Sequence, residues 1–140
     1  MKLARRIFLA CSLFASAAVL AQDLSQPERQ AQMAAQQWLA LADAGQFAST
    51  WDQAASPFQA AISKPNWESS MKAVRAPLGS VKTRTLKSAE FTKSLPGAPD
   101  GEYVVVRFET QFEHKPSAIE TVTPMKGQDG LWRVSGYFIK

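Results

Sequence analysis

Few side chains in this sequence are of a type that could do chemistry. His114 is the only histidine in the chain. An imidazole titrates near neutral pH and could act as a general base. It stands beside Lys115-Pro116, however, where a turn is expected, so it reads as an exposed turn residue. A single histidine also gives no His pair for a metal. Glu109, Glu113 and Glu120 could supply paired carboxylates for acid–base work. Arg107 and Arg133 are expected among them, and mixed signs on an open sheet face usually make a salt-laced surface. No Gly-x-Ser-x-Gly elbow and no glycine-rich phosphate loop is present. The pattern therefore names no catalytic residue, no cofactor site and no metal site.

Two sets of residues remain as candidates for binding. Trp51, Trp67 and Trp132, with Thr110, Thr121 and Thr123 as polar handles, could line a pocket between helices and sheet. Such a lining suits a small apolar molecule better than proton transfer. Core packing is the competing reading, because these tryptophans and Trp38 lie on apolar stripes. Arg107, Glu109, Glu120, Arg133 and Tyr137 are expected on the opposite, polar sheet face, which could meet a protein partner or form a homodimer.

The elements that must position these residues follow from periodicity. Ser25-Gln26-Pro27-Glu28 is a capping box with proline in the first turn. The helix it opens should run to about Ala44, with Ala31, Ala34, Trp38 and Leu41 inward, and Gly45 should end it. A short helix is expected over 46–55 and a further turn after Pro57. A third main helix should begin near Ser63 to Pro65, with Trp67, Met71, Val74 and Leu78 buried. After Gly79 the period becomes that of strands. Val81 to about Leu95 alternates loosely, with a break near Leu86 that suggests a bulge. Tyr103 to Glu113 is the clearest strand, and Ala118 to Met125 and Leu131 to Ile139 complete an antiparallel meander.

Turn geometry then assigns the faces. With His114 opposite Ser117 and Lys126 opposite Leu131, the residues Val104, Val106, Phe108, Thr110 and Phe112 share a face with Ile119, Thr121, Thr123, Met125, Trp132, Val134, Gly136 and Phe138. That face should receive the helices. A one-residue slip would exchange the two faces and bring Glu109 and Glu120 inside. The layout is α+β, with N-terminal helices packed on a curved four-stranded antiparallel sheet. Its nearest common architecture is the cystatin-like or nuclear-transport-factor-like cone.

The N-terminus reads as an export signal. Lys2, Arg5 and Arg6 precede an uncharged, mostly apolar stretch from Ile7 to Leu20, whose end overlaps the small-residue pattern Val19-Leu20-Ala21, and Gln22-Asp23 comes next. The stretch is shorter than the roughly 20 residues a spanning helix needs. Cleavage after Ala21 is expected, leaving one domain over 22–140, no stable membrane anchor, and a periplasmic or secreted location. Arg5-Arg6 resembles the twin-arginine pattern, but the general secretory route is the simpler reading. Cys11 would leave with the signal, so the exported chain would contain no cysteine.

The net charge of +4 mostly belongs to that signal. All twelve acidic residues follow residue 21, against thirteen of the sixteen basic ones, so residues 22–140 carry +1. That balance argues against a nucleic-acid partner. Between 64 and 93, seven basic residues (Lys64, Lys72, Arg75, Lys82, Arg84, Lys87 and Lys93) face only Glu68 and Glu90. They read as a solvated helix face and a lysine-protected edge strand.

An ordered set of short segments also resembles a known family. In the first half these are Trp38-Leu39, Asp43-Ala44-Gly45, Trp51, Trp67, Leu78-Gly79 and Arg84. In the second half they are Leu95-Pro96-Gly97, Asp100-Gly101-Glu102-Tyr103, Glu120-Thr121, Asp129-Gly130-Leu131-Trp132-Arg133 and Gly136-Tyr137-Phe138. Together they resemble the exported bacterial proteins grouped as domain of unknown function 4019. The resemblance implies a small exported protein without an assigned activity, and it carries no catalytic residue. The function expected is a non-catalytic module that binds a protein partner or a small apolar ligand. The alternative is a small isomerase or cyclase with a pocket between helices and sheet.

Overall fold

The computed structural model describes residues 23–140. The cleavage site and the stretch from Met1 to Gln22 lie outside them. Helix α1 spans Gln26–Asp43 and opens on the expected capping box: the Ser25 hydroxyl accepts from the Glu28 amide, and Glu28 Oε2 accepts from the Ser25 amide at 2.9 Å. Its buried stripe is Ala31, Ala35, Trp38, Leu39 and Ala42. Helices α2 (Phe47–Asp52), α3 (Ser56–Ala61) and α4 (Lys64–Arg75) follow, and a 3₁₀ turn at Ala76–Leu78 leads to Gly79. The Ser63 hydroxyl caps α4 by accepting from the Asn66 amide.

The buried stripe of α4 is Trp67, Met71 and Arg75, four residues apart. Val74, expected inside, is 49% exposed. The arginine can take the third position because its charge is compensated there: Nη2 donates to Asp43 at 2.7 Å, and the guanidinium lies 5.2 Å from the centre of the Phe112 ring.

Four strands, β1 (Val81–Thr92), β2 (Tyr103–Phe112), β3 (Lys115–Lys126) and β4 (Trp132–Ile139), form an antiparallel meander in the order β1-β2-β3-β4. Helix α1 lies against all four, and α2 packs on α4. The bulge expected near Leu86 is present, between Leu86 and Ser88. It keeps Arg84, Leu86, Ala89 and Phe91 opposite Thr110, Phe108, Val106 and Val104, all on the inner face.

The β2–β3 register differs from the expected one, and the difference reverses part of the sheet. Phe108 pairs with Glu120, Val106 with Val122 and Thr110 with Ala118. The hairpin turns at Glu113-His114 rather than at Lys115-Pro116-Ser117. Both turn amides are held by the stretch that joins the 3₁₀ turn to β1: Glu113 donates to the Ser80 carbonyl at 2.8 Å and His114 to the Leu78 carbonyl at 2.9 Å. Docking this turn on the helix–strand junction fixes an earlier reversal. The odd offset then exchanges the faces of β3. Glu120 is therefore inside, and Ile119, Thr121 and Thr123 are on the outer face.

In β4 the register shifts between the Thr123 and Pro124 pairings. Trp132 and Val134 keep the inward side expected for them, and beyond the shift Tyr137 and Ile139 point inward too. Phe138, expected in the core, pairs with Thr121 on the outside and is 59% exposed.

Candidate functional site

The only glutamate on the inner face of β2 and β3 is fully buried. Glu120 has 0% exposure. Its Oε1 accepts from Arg84 Nε at 2.8 Å and from the Thr110 hydroxyl at 2.6 Å, and its Oε2 accepts from the Tyr137 hydroxyl. Each partner sits there for a reason of register. Thr110 is two residues from Phe108, the cross-strand neighbour of Glu120. Arg84 is opposite Thr110. Tyr137 is opposite Val122 on the adjacent strand.

Arg84 extends the cluster to the end of α1, donating to Asp43 from Nη1 at 2.7 Å and Nη2 at 3.0 Å. Asp43 also accepts from Arg75. The result is a chain of alternating charge, Arg75–Asp43–Arg84–Glu120, that ties the C-terminal ends of α1 and α4 to β1 and β3. Burial alone would raise the pKa of Asp43, but hydrogen bonds and charge from Arg84 and Arg75 outweigh it and hold the carboxyl below its ordinary range. For Arg84, burial works against the charge, and the bonds to Asp43 and Glu120 more than restore it. Burial pushes the Tyr137 phenol up, and the neighbouring Glu120 carboxylate pushes it further, so the hydroxyl remains a neutral donor.

Arg75 is the one incompletely satisfied member: among the described residues, its Nε and Nη1 are buried without a hydrogen-bond partner. Both belong to the guanidinium that lies over Phe112, so the ring face stands where an acceptor would otherwise be needed.

Beside this cluster the interior is filled by rings. Trp38 meets Tyr137 edge-on with centroids 5.1 Å apart and Trp67 at 6.1 Å, and Phe58 meets Trp67 at 4.7 Å. The indole N–H groups are used internally. Trp38 donates to the Thr50 carbonyl, Trp67 to the Thr50 hydroxyl and Trp51 to the Ile62 carbonyl, each at 2.9 Å. Trp51 and Trp67 thus take part in packing. Thr110 is spent on Glu120, and Thr121 and Thr123 are on the other side of the sheet. The six residues considered as a pocket lining are not brought together.

Of the five residues expected on the polar face, Arg107 and Glu109 are there, with Arg107 Nη1 donating to Glu90 at 3.3 Å. Glu120 and Tyr137 belong to the interior. Arg133, between the inward Trp132 and Val134 at the start of β4, is on the outer side as expected and makes two bonds to Asp129 of the β3–β4 turn, at 3.1 and 2.7 Å. His114 occupies the exposed hairpin turn, 3.8 Å from Glu113. Among the described residues no group of three or more His, Cys, Asp or Glu is placed to hold a metal ion.

Trp132 lines a surface groove of about 610 Å³ between the first half of α1 and the β3–β4 turn. Two of the most exposed large apolar side chains among the described residues face it, Met33 at 59% and Leu131 at 57%. Gln30, Gln37 and Gln53 stand on its rim, and Gln30 Oε1 accepts from Trp132 Nε1 at 3.3 Å.

Asp43, Arg75 and Arg84 were not singled out from the sequence as partners in a site. Their signal was positional. Arg75 is four residues beyond Met71 and eight beyond Trp67, and Arg84 is two before Leu86. Each is a charge at an inward position of its element, where a partner must exist.

These features define an α+β protein whose helices and antiparallel sheet enclose a hydrogen-bonded ion cluster. The chain belongs to the family described as protein of unknown function (DUF4019), whose model matches residues 34–137. That span contains every member of the cluster. No curated protein matches the chain.

Proposed function

We propose that the chain is an exported, non-catalytic module that binds a protein partner at its surface. Support for export comes from the order of charged, apolar and small residues over 1–22, which has the pattern of an export signal and suits a periplasmic or secreted module. The single observation that carries the binding reading is the contrast between inside and outside. The aromatic rings and the Glu120 cluster occupy the space where a cone-shaped fold would hold a ligand, while Met33 and Leu131, which line one groove, are more than half exposed. Exposed apolar side chains that gather in one groove favour a macromolecular contact over a buried small molecule.

Native mass spectrometry of the protein isolated gently from the periplasm tests this. The expected spectrum is the bare chain starting near Gln22, with no small-molecule adduct. An apolar compound released only on denaturation would overturn it. The outer sheet face, with Phe138, Arg107 and Glu109, offers a route to a homodimer, and sedimentation velocity separates that case from a different partner.

A second reading, a small isomerase-type enzyme, has one observation in its favour: a carboxylate, Glu120, sits inside the fold. Glu109, the other carboxylate that the slipped register would have brought in, is exposed. With both oxygens of Glu120 engaged, a substrate would have to displace Tyr137 or Thr110 to reach it.

A further inference from the structure

We infer that the groove between α1 and the β3–β4 turn takes an extended, uncharged segment of polypeptide, which pairs with the free edge of β4 and inserts apolar side chains between Met33 and Leu131. The inference rests on the reading of the chain as a partner-binding module.

Three features point to that occupant. The first is charge. The groove is lined by two ionised side chains, Asp52 and Arg133, and each is already neutralised: Asp52 by Lys64 at 2.9 Å and Arg133 by Asp129 at 2.7 Å. A groove without uncompensated charge matches an uncharged segment, and a charged one would lose hydration without gaining a counter-charge.

The second is the backbone. Lys126 is opposite Trp132 in the sheet, and its amide is donated to Glu102, away from β4. In an antiparallel ladder such a pair does not exchange hydrogen bonds, so the amide and carbonyl of Trp132 face the free edge. Two residues on, the Val134 carbonyl faces the same edge and already accepts from the Ala55 amide at 2.8 Å. An incoming strand would continue that pairing at Trp132.

The third is the rim. The side-chain amides of Gln30, Gln37 and Gln53 each offer both a donor and an acceptor, which suits peptide groups more than hydrocarbon.

The test uses residues 22–140 and a fluorescent, end-capped peptide alternating threonine with leucine. Fluorescence anisotropy should show saturable binding that changes little between about 0.05 and 0.5 M salt, because no net charge is neutralised. Leu131→Asp and Met33→Asp should each weaken it about tenfold or more, and Phe138→Asp on the outer face should leave it unchanged. N-methylation of alternate peptide amides should abolish binding to the parent protein, a readout that does not depend on any variant folding.

Absence of binding, equal loss with Phe138→Asp, or full binding of the N-methylated peptide would overturn the inference. In cells, photo-reactive residues at positions 131 and 138 separate the two levels. A protein adduct at 131 is the expected result. An adduct at 138 alone overturns the groove and leaves the module reading standing, and no adduct at either position overturns both.

Discussion

Replacing Glu120 by alanine should destabilise the fold more than most single changes. The side chain has no exposure and accepts from three donors, Arg84 Nε at 2.8 Å, Thr110 Oγ1 at 2.6 Å and the Tyr137 hydroxyl. Alanine leaves two buried hydroxyls and one guanidinium N–H without an acceptor. Each unmet buried group costs about 1–3 kcal/mol. Arg84 keeps its bonds to Asp43, but Asp43 is shared with Arg75, so one carboxylate is left to balance two guanidiniums and a positive charge goes uncompensated. The net loss should therefore fall within the range for breaking a buried ion pair, about 3–5 kcal/mol. That is a large share of the roughly 5–15 kcal/mol that holds a domain together.

Glu120→Gln separates charge from geometry. Its amide oxygen can still accept from Arg84 and Thr110, and its NH₂ can donate to the Tyr137 oxygen, so only about 1–3 kcal/mol should be lost. Urea unfolding followed by tryptophan fluorescence measures both, with a shifted midpoint at constant slope. A Glu120→Ala variant within about 0.5 kcal/mol of the parent, as for an ordinary surface change, would refute the assignment of Glu120 to the interior.

Other variants probe neighbouring parts of the structure. The pKa of Asp43 is depressed in the fold, so its stabilisation is present above the unfolded value of 3.8 and is lost as pH falls through the folded pKa. Asp43→Asn should be less stable at neutral pH and show a flatter stability profile in that acid range, checked by thermal melts at stepped pH. Thr50→Val removes the acceptor of the Trp67 indole at 2.9 Å and should cost about 1–3 kcal/mol, with a change in tryptophan emission. Gly79 has φ +73°, and a Cβ there would lie 2.8 Å from Glu113 Cβ. Gly79→Ala should therefore cost more in chemical denaturation than Gly45→Ala, where φ is also +73° but nothing lies within 4 Å.

Much of the architecture was legible because it is written in local chemistry. The Ser25–Glu28 capping box, the Gly45 stop, the switch from helical to alternating period after Gly79 and the bulge near Leu86 are all short-range signals. The strand face of Val104, Val106, Phe108 and Phe112 was legible for the same reason. The positions of Glu120 and Tyr137 were not, because they depend on where the β2–β3 hairpin turns. That is set by the Glu113 and His114 amides docking on Ser80 and Leu78, more than thirty residues away in the sequence. An inward Glu120 looks implausible until Arg84 and Thr110 are brought to it, and the long-range pairing that brings them carries no short-range signal. The same applies to Arg75, whose charge hid its place on the buried stripe of α4. The groove was only partly visible: Trp132 was singled out, but Met33 and Leu131 gain their meaning from the approach of α1 to the β3–β4 turn.

The central claim is that this protein meets its partner outside a closed interior. Amide chemical-shift mapping of residues 22–140 during titration with the alternating threonine–leucine peptide tests it most directly. The account predicts that the signals of Met33, Gln53, Leu131 and Trp132 move together while those of Trp38, Trp67, Glu120 and Tyr137 stay in place. Shifts that begin at Trp38, Trp67 and Tyr137 would mean that the interior opens to the ligand, and the account would be wrong.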